Sequence, residues 1–293
     1  MPSKTIIYSA LLGAILIVSC SAILIKSASE APALVIATYR LLVSVLVLAP
    51  LALPLRSQAL RSLTRREWGL AMASGLFLGL HFVTWISSLK FTSVASSVML
   101  VTTNPIFVGL GSYFLLKEKL SHLLIAGIGT SVLGALLIGY GDFRTGNAAL
   151  WGDFLALMGA IMASSYFLVG RRLRPQMDLL GYIFVVYGIA ALVLLILTLG
   201  SSIPLFAYSA DVYSILILLA LGPQLIGHTV FNWALRYLSA ASVAVAILGE
   251  PIGSTFLAYF FLNESLTWLK VWGGALILLG IYLSLRAEQR SQA

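Results

Sequence analysis

The chain repeats itself at an offset of 146 residues, half of its length of 293. Each half contains five apolar spans, and because five is odd, the second half must enter a membrane upside down relative to the first. Rare residue types keep one register across the two halves, which an accident of composition does not produce. The matching pairs include Gly13 with Gly159, Pro105 with Pro251, Glu118 with Glu264, Gly127 with Gly273 and Gly134 with Gly280. Inverted repeats of this kind are typical of secondary transporters.

Composition indicates a membrane as the solvent. Hydrophobic residues make up 60% of the chain and charged residues 10%, a surface that a soluble domain does not tolerate. A hydrocarbon core of about 30 Å needs roughly 20 helical residues per crossing. The polar breaks therefore predict an all-α membrane protein with ten transmembrane helices in two inverted five-helix repeats, 1–146 and 147–293. The predicted spans are about 5–25, 31–53, 68–88, 93–116, 121–140, 150–170, 179–200, 211–233, 239–262 and 266–285.

The distribution of Lys and Arg predicts the orientation of the chain. With both termini in the cytoplasm, thirteen basic residues fall on the inner side and four on the outer side, as the positive-inside rule requires. The inner residues are Lys4, Arg56, Arg61, Arg65, Arg66, Lys117, Lys119, Arg171, Arg172, Arg174, Arg236, Arg286 and Arg290, and the outer ones Lys26, Lys90, Arg144 and Lys270. The net charge of +8 is therefore a topology signal, and its scatter over short loops argues against nucleic-acid binding.

Several classes of chemistry find no support in the sequence. Cys20 is the one cysteine and lies within the first span, so we expect neither a disulfide framework nor a metal site built from clustered ligands. The spans contain no His-Glu metal motif and no nucleophile beside a base, and we expect no cofactor and no enzymatic activity. The expected partners are a small-molecule substrate and membrane lipid.

Polar residues placed at the depth of lipid are costly and usually face a cavity or another helix. In the eighth span, Gln224, His228 and Asn232 recur every four residues, a spacing that predicts one polar helical face. The alternative is that each residue simply bonds a neighbouring helix.

The third span contains the repeat-related face. Phe77, His81 and Trp85 have the same four-residue spacing and align with the polar residues of the eighth span once a single-residue indel is allowed. Two inverted copies of a histidine-bearing face predict a central space lined by both. Aromatic rings with a few hydrogen-bonding groups suit a small, partly apolar solute.

An acidic residue precedes a proline in the ninth span. Glu250 stands before Pro251, and the repeat places Asn104 before Pro105. A proline in a membrane helix frees a backbone carbonyl, which the polar neighbour can satisfy. Burial favours the protonated form of a carboxyl group, so Glu250 is a candidate either for proton coupling or for a structural role.

Two further polar side chains lie within spans. Arg40 is about 13 Å along the second span at 1.5 Å per residue. It is a candidate for binding a substrate carboxylate or for holding a helix through carbonyls or a buried acid such as Glu250. Tyr166 in the sixth span is a candidate for the cavity wall, with packing as the alternative.

Short motifs at the span ends predict architecture. Glu118 is followed by Ser121 and Glu264 by Thr267, and each hydroxyl is a good helix N-cap, so we expect tight interfacial hairpins at both places. Gly127, Gly134, Gly273 and Gly280 predict close helix packing, because a missing side chain lets two backbones approach. The same surfaces suit a homodimer, and the sequence does not decide whether the chain forms one.

Each half of the chain contains a series of short motifs. The motifs are Gly79-Leu80-His81-Phe82-Val83-Thr84-Trp85, Asn104-Pro105-Ile106-Phe107, Lys117-Glu118-Lys119-Leu120, Trp233-Ala234-Leu235-Arg236-Tyr237, Gly249-Glu250-Pro251 and Leu262-Asn263-Glu264-Ser265-Leu266. Together they resemble two EamA domains of the drug/metabolite transporter superfamily, over nearly the whole chain. The resemblance implies a central cavity lined mainly by spans 1, 3, 4, 6, 8 and 9, with spans 2 and 7 peripheral, which lowers the expectation that Arg40 touches solute. The first span departs from the family pattern, which often carries a Trp-Gly pair where this chain has Ser19-Cys20-Ser21.

Bacterial members of this layout resemble exporters of amino acids, including aromatic ones, and of other small metabolites. We therefore expect a secondary transporter of the bacterial inner membrane that exports amino acids or similar metabolites by alternating access. The candidate substrate-binding residues are His81, Trp85, Asn104, Tyr166, Gln224, His228, Asn232 and Glu250. The alternatives are efflux of drugs or lipophilic cations, with Glu250 as the cation partner, and a non-transporting sensor or scaffold.

Overall fold

The computed structural model of the protein describes residues 2–55, 64–92, 94–140, 147–261 and 267–291. Helices form most of this part of the chain, and no strand occurs in it. The all-α prediction is therefore confirmed. Within the described residues, eight helical segments are long and apolar enough to span a membrane. Two shorter apolar helices, His122–Gly134 and Val271–Ala287, occupy the predicted fifth and tenth spans.

The helices of the first half follow the predicted spans in order. They are α1 (Lys4–Val18), α2 (Ser21–Ser27), α3 (Ala33–Leu55), α4 (Arg65–Phe91), α5 (Val94–Val101), α6 (Asn104–Leu115) and α7 (His122–Tyr140). The start of α4 is fixed by a capping box, in which Thr64 Oγ1 accepts from Glu67 N at 3.2 Å and Glu67 Oε2 accepts from Thr64 N at 2.7 Å.

The second half follows the same plan. Its helices are α8 (Asn147–Leu173), α9 (Leu179–Gly200), α10 (Ala210–Leu219), a π-helical segment (Ala220–His228), α11 (Thr229–Ala234), α12 (Ala240–Ile247), α13 (Gly249–Phe261) and α14 (Trp268–Ser291). Asp178, Ser209 and Ser239 cap α9, α10 and α12, each with a side-chain oxygen that accepts from a first-turn N–H.

Three of the predicted spans consist of two helices each. The breaks fall at Ser19-Cys20 in the first span, Thr102-Thr103 in the fourth and Leu248 in the ninth. The last two breaks are separated by the repeat offset and are followed at once by a proline turn. Pro105 and Pro251 occupy the first turn of α6 and α13, where a missing N–H leaves no helical hydrogen bond unmade. The prolines therefore begin new helices and do not kink continuous ones.

The eighth span changes helix type along its length. The π-helical segment contains Pro223 and joins α10 to α11. Because π-helical bonds run from i to i+5, each turn holds more residues than an α-helical turn. Gln224 and His228 belong to this segment, whereas Asn232 belongs to α11.

Several helix pairs join the two halves. The most extensive contacts are those of α7 with α14, α4 with α8, α3 with α9 and α4 with α9. In the α7–α14 pair, a Cβ added to Gly280 would lie 2.5 Å from Gly127 O, and one added to Gly134 would lie 2.8 Å from Ile277 N. The close packing predicted for the repeated glycines, Gly273 included, is confirmed. Because the contact lies within one chain, these glycine faces are already occupied.

Basic residues stand at the helix ends that the orientation prediction assigns to the inner side. Arg65 and Arg66 begin α4, while Arg171 and Arg172 lie in the last turn of α8. Parts of the sequence prediction lie outside the described residues, namely Arg56, Arg61, Arg144 and the hairpin around Glu264.

Candidate functional site

A cavity lies between the two halves, next to the helix breaks. Both halves contribute to its walls. The lining residues of the first half are Val18, Ser21, Arg40, His81, Trp85, Val101, Thr102 and Asn104, and those of the second half are Ala163, Tyr166, Phe167, His228, Phe231, Ile247 and Glu250. Spans 1, 3, 4, 6, 8 and 9 all take part, and α3 is an additional contributor.

Six of the eight candidate residues line this cavity. They are His81, Trp85, Asn104, Tyr166, His228 and Glu250. Gln224 and Asn232 lie behind the wall, fully buried, and each bonds a residue that does line it. The physical reason is that each side chain is held by a hydrogen bond, since Gln224 Oε1 accepts from Arg40 Nε and Asn232 Nδ2 donates to Tyr166 Oη.

His81 and His228, which the repeat predicts to lie close together, meet at the wall of the cavity. The ring centroids of His81 and His228 are 6.4 Å apart, and the His81 ring stacks on Trp85 at 5.9 Å. His81 Nδ1 lies 2.9 Å from Gly159 O. Because a carbonyl oxygen only accepts, Nδ1 donates in this bond, which leaves Nε2 of the neutral ring as an acceptor.

Arg40 was expected away from the solute, yet its side chain reaches the cavity. It is 1% exposed. Its Nε donates to Gln224 Oε1 at 2.9 Å, and its guanidinium carbon lies 4.2 Å from the centroid of the Phe82 ring. Ser44, one turn further along α3, donates to Ala220 O at 3.1 Å and so fixes α3 against the π-helical segment.

Asn232 organises the wall around Tyr166. Its side-chain nitrogen donates to Tyr166 Oη and, at 2.8 Å, to His228 O. Its own backbone carbonyl accepts from Arg174 Nε at 2.9 Å. Arg174 is 1% exposed and also donates to Met177 O. Sequence reasoning missed this role, because Arg174 stands among the basic residues that were counted for orientation.

Several polar atoms around the cavity have no protein partner. Arg40 Nη1, Trp85 Nε1, Asn104 Oδ1 and His228 Nδ1 are buried and make no hydrogen bond with another described residue. Buried polar groups are rarely left unpaired. These donors and acceptors are therefore available to water or to a solute in the cavity.

Comparison with known proteins identifies the family. Each half of the chain matches the model of the EamA-like transporter family, over residues 5–140 and 150–286. The chain belongs to this EamA-like family. An uncharacterized transporter of Clostridium kluyveri is 25% identical over 85% of this chain and 82% of its own. An uncharacterized transporter of Archaeoglobus fulgidus is 26% identical over 67% and 68%, and the uncharacterized transporter YdfC of Bacillus subtilis 24% identical over 70% and 67%.

The EamA-like fold has also been solved in another protein. That crystal structure is 19% identical, covers 99% of this chain and 100% of its own, and superposes with a TM-score of 0.79. At this identity the likeness shows the fold alone. The apolar helices and the family together make this chain a multi-pass membrane transporter, and the printed names of the three relatives give no substrate.

An ion pair joins the two halves of this EamA-like transporter at the basic end, the end of the helices that contains Arg171 and Arg172. Arg171 Nε lies 3.1 Å from Glu118 Oε1, and Arg171 Nη1 donates to Leu235 O at 3.0 Å. Ser121 Oγ accepts from Leu124 N at 3.2 Å, which confirms the predicted N-cap of α7. Glu118 therefore has a contact across the halves in addition to its place in the hairpin.

Proposed function

We propose that this EamA-like transporter exports amino acids, aromatic ones among them, across the inner membrane by alternating access. The observation that carries the proposal is the cavity between the halves. Its walls combine aromatic rings with polar atoms that lack partners within the described residues. An amino acid offers both an apolar side chain and polar end groups.

The proposed solute contacts come from both repeats. His81, Trp85 and Asn104 belong to the first, while Tyr166, His228 and Glu250 belong to the second. Gln224 and Asn232 act from behind by fixing Arg40 and Tyr166. Contacts from two inverted halves suit a site that each half exposes in turn to one side of the membrane.

The proposed orientation of the chain rests on the distribution of basic residues between its two ends. The thirteen basic residues assigned to the inner side outnumber the four on the outer side, which supports cytoplasmic termini and an inner-membrane location. Paired helix breaks in the fourth and ninth spans support alternating access, since discontinuous helices near the midplane are typical of transporters built from inverted repeats.

Efflux of lipophilic cations is the second candidate, because Glu250 lines the cavity and is its one acidic residue. Arg40 lines the same cavity and adds a positive charge that repels a cation. An amino acid carries both charges and suits both residues, so we favour the amino-acid function.

The test is uptake into proteoliposomes of purified protein, with a panel of twenty amino acids and two lipophilic cations. Each solute is measured with and without a proton gradient, and binding is followed separately by thermal stabilisation of the protein in detergent. We expect saturable transport of at least one amino acid. If no amino acid is transported or bound while a lipophilic cation is, the amino-acid function is wrong and the second candidate replaces it.

A further inference from the structure

We propose that Arg40 and Glu250 together form a binding site for a zwitterion, with Arg40 binding its carboxylate and Glu250 binding its ammonium group. The inference rests on the proposed function and adds which chemical groups of the solute are recognised, and by which residue. It treats as one functional pair two residues from opposite halves of the chain.

The first step is that the two charges share the cavity without neutralising each other. Both side chains line it. Among the described residues, the ion pair in direct contact is Arg171 with Glu118, and Arg40 and Glu250 do not form one. Two opposite charges held apart in a low-dielectric site attract a solute that carries both.

The second step is the geometry of the guanidinium group. Arg40 Nε is occupied by Gln224 Oε1 at 2.9 Å, and the ring of Phe82 lies 4.2 Å away. These two contacts fix the plane of the group, while Nη1 has no partner within the described part of the chain. A held guanidinium group with a free N–H donor is suited to a carboxylate, the planar anion that arginine binds most specifically.

The third step concerns the ammonium group, which has three N–H donors and needs acceptors. Glu250 offers carboxylate oxygens to the cavity, and Asn104 Oδ1 offers an unpaired carbonyl oxygen, as judged within the described residues. The repeat relates these two residues, so one acceptor comes from each half. The rings of Trp85 and Tyr166 then remain for the side chain of the solute.

The fourth step is that each of the two charged residues occurs in one half only, since its repeat counterpart in the other half is uncharged. At the offset of 146, Arg40 corresponds to Val186, and Glu250 corresponds to Asn104. A symmetric pair of charges would accept a dipolar solute in two opposite orientations. One arginine from the first half and one glutamate from the second allow a single orientation.

The experiment compares solutes that lack one charge. With L-phenylalanine as the transported probe, phenethylamine lacks the carboxylate and 3-phenylpropionate lacks the ammonium group, and both are used as competitors. If the panel selects an aliphatic amino acid, the matched set is L-leucine, isopentylamine and 4-methylpentanoate. For the wild type, we expect each analogue to compete about 10- to 100-fold more weakly than the parent amino acid, because each loses a charge-assisted contact.

The variants assign each charge to its residue. In Glu250→Gln, L-phenylalanine should lose most of its advantage over 3-phenylpropionate and keep its advantage over phenethylamine, and Arg40→Gln should give the reverse. Arg40→Lys retains the charge and should restore part of the discrimination. Glu30→Gln and Arg172→Gln make the same changes at exposed positions and should leave both ratios unchanged.

The ratios of competition separate this inference from the proposed function. Wild-type protein that transports no amino acid contradicts the function itself. Wild-type protein that transports amino acids but accepts the analogues equally well contradicts the zwitterion site alone. Variants that unfold more easily but keep wild-type ratios show that Arg40 and Glu250 are structural, and this result also overturns the inference.

Discussion

The third and eighth spans occupy equivalent places in the two repeats, and they differ in helix type. The third is one uninterrupted α-helix, Arg65–Phe91, which turns His81 and Trp85 toward the cavity. The eighth contains the π-helical segment Ala220–His228, with His228 at the cavity and Gln224 bonded to Arg40. The aligned positions Trp85 and Asn232 thus differ in role, since Trp85 lines the cavity and Asn232 supports Tyr166 from behind.

The first and sixth spans also occupy equivalent places in the two repeats, but here the interrupted helix belongs to the first half. In the first half the span breaks at Ser19-Cys20, whereas α8 continues without interruption past Ser165 and Tyr166. Each half therefore contains an interruption that the other half does not share. The repeat provides the scaffold, and the departures from it provide the asymmetry that an asymmetric solute requires.

The largest change in the free energy of unfolding is expected for Arg174, whose buried hydrogen bonds occur only in the second half. Arg174 donates to two carbonyls, and its repeat counterpart is Ala28. Arg174→Met should lower the free energy of unfolding by about 3 kcal/mol, because buried carbonyls lose their partners. Thermal unfolding in detergent measures the change, with the exposed Arg172→Met as control. Equal losses in the two variants would show that the buried contacts of Arg174 add nothing.

The next largest change in the free energy of unfolding is expected at the glycine contact between α7 and α14, to which both halves contribute equivalent residues. Gly280→Ala and Gly134→Ala each place a Cβ against the backbone of the partner helix, and each should lower the free energy of unfolding by about 2 kcal/mol. Gly129→Ala on α7 meets open space and serves as the matched control, with a stability equal to or above the wild type. Unequal losses at the two repeat-related positions would mean that the α7–α14 contact is not symmetric.

A smaller effect, on the affinity for amino acids, should distinguish the roles of the third and eighth spans. Gln224→Leu removes the acceptor of Arg40 Nε, and we expect roughly tenfold weaker amino-acid binding. Phe77→Leu alters the aligned residue of the third span, which does not line the cavity, and should leave the affinity unchanged. Binding is measured by thermal stabilisation against ligand concentration. Comparable losses from both substitutions would remove the distinction between the two spans.

The smallest effect concerns the ion pair at the basic end. Arg171 and Glu118 have side chains that are each 27% exposed, so their attraction is partly screened by solvent. Glu118→Gln should lower the free energy of unfolding by about 0.5 kcal/mol in dilute buffer. The difference from wild type should vanish near 1 M salt, where the Debye length falls to about 3 Å. A loss that persists in salt would indicate that packing, and not charge, holds this contact.

Features that depend on helical period and repeat register could be predicted from the sequence. The glycine contacts of α7 with α14, the meeting of His81 with His228 and the capping role of Ser121 all follow from local patterns that the repeat duplicates. The general position of the cavity followed from the family resemblance and from the same pairs.

Features that depend on tertiary contacts between particular side chains could not be predicted. A four-residue spacing predicts a shared helical face but not the partners of each residue, and Gln224 of the π-helical segment and Asn232 of α11 bond Arg40 and Tyr166 behind the cavity wall. The cavity contact of Arg40 depends on how α3 packs against that segment, through Ser44 and Ala220 O. The sequence contained one sign of the buried role of Arg174, because its repeat counterpart, Ala28, is uncharged. However, a positive charge at this position is equally typical of a residue at the membrane surface.

The pairing of α7 with α14 also bears on the order in which the molecule is completed during synthesis. Chains fold from the N-terminus as they emerge, so α7 is in place well before α14 is made. The face of α7 that contains Gly127 and Gly134 meets Gly280 and Gly273, which belong to α14. Insertion of α14 is therefore the event that covers this face, and a chain that stops before Trp268 leaves the backbone at these glycines without its partner helix.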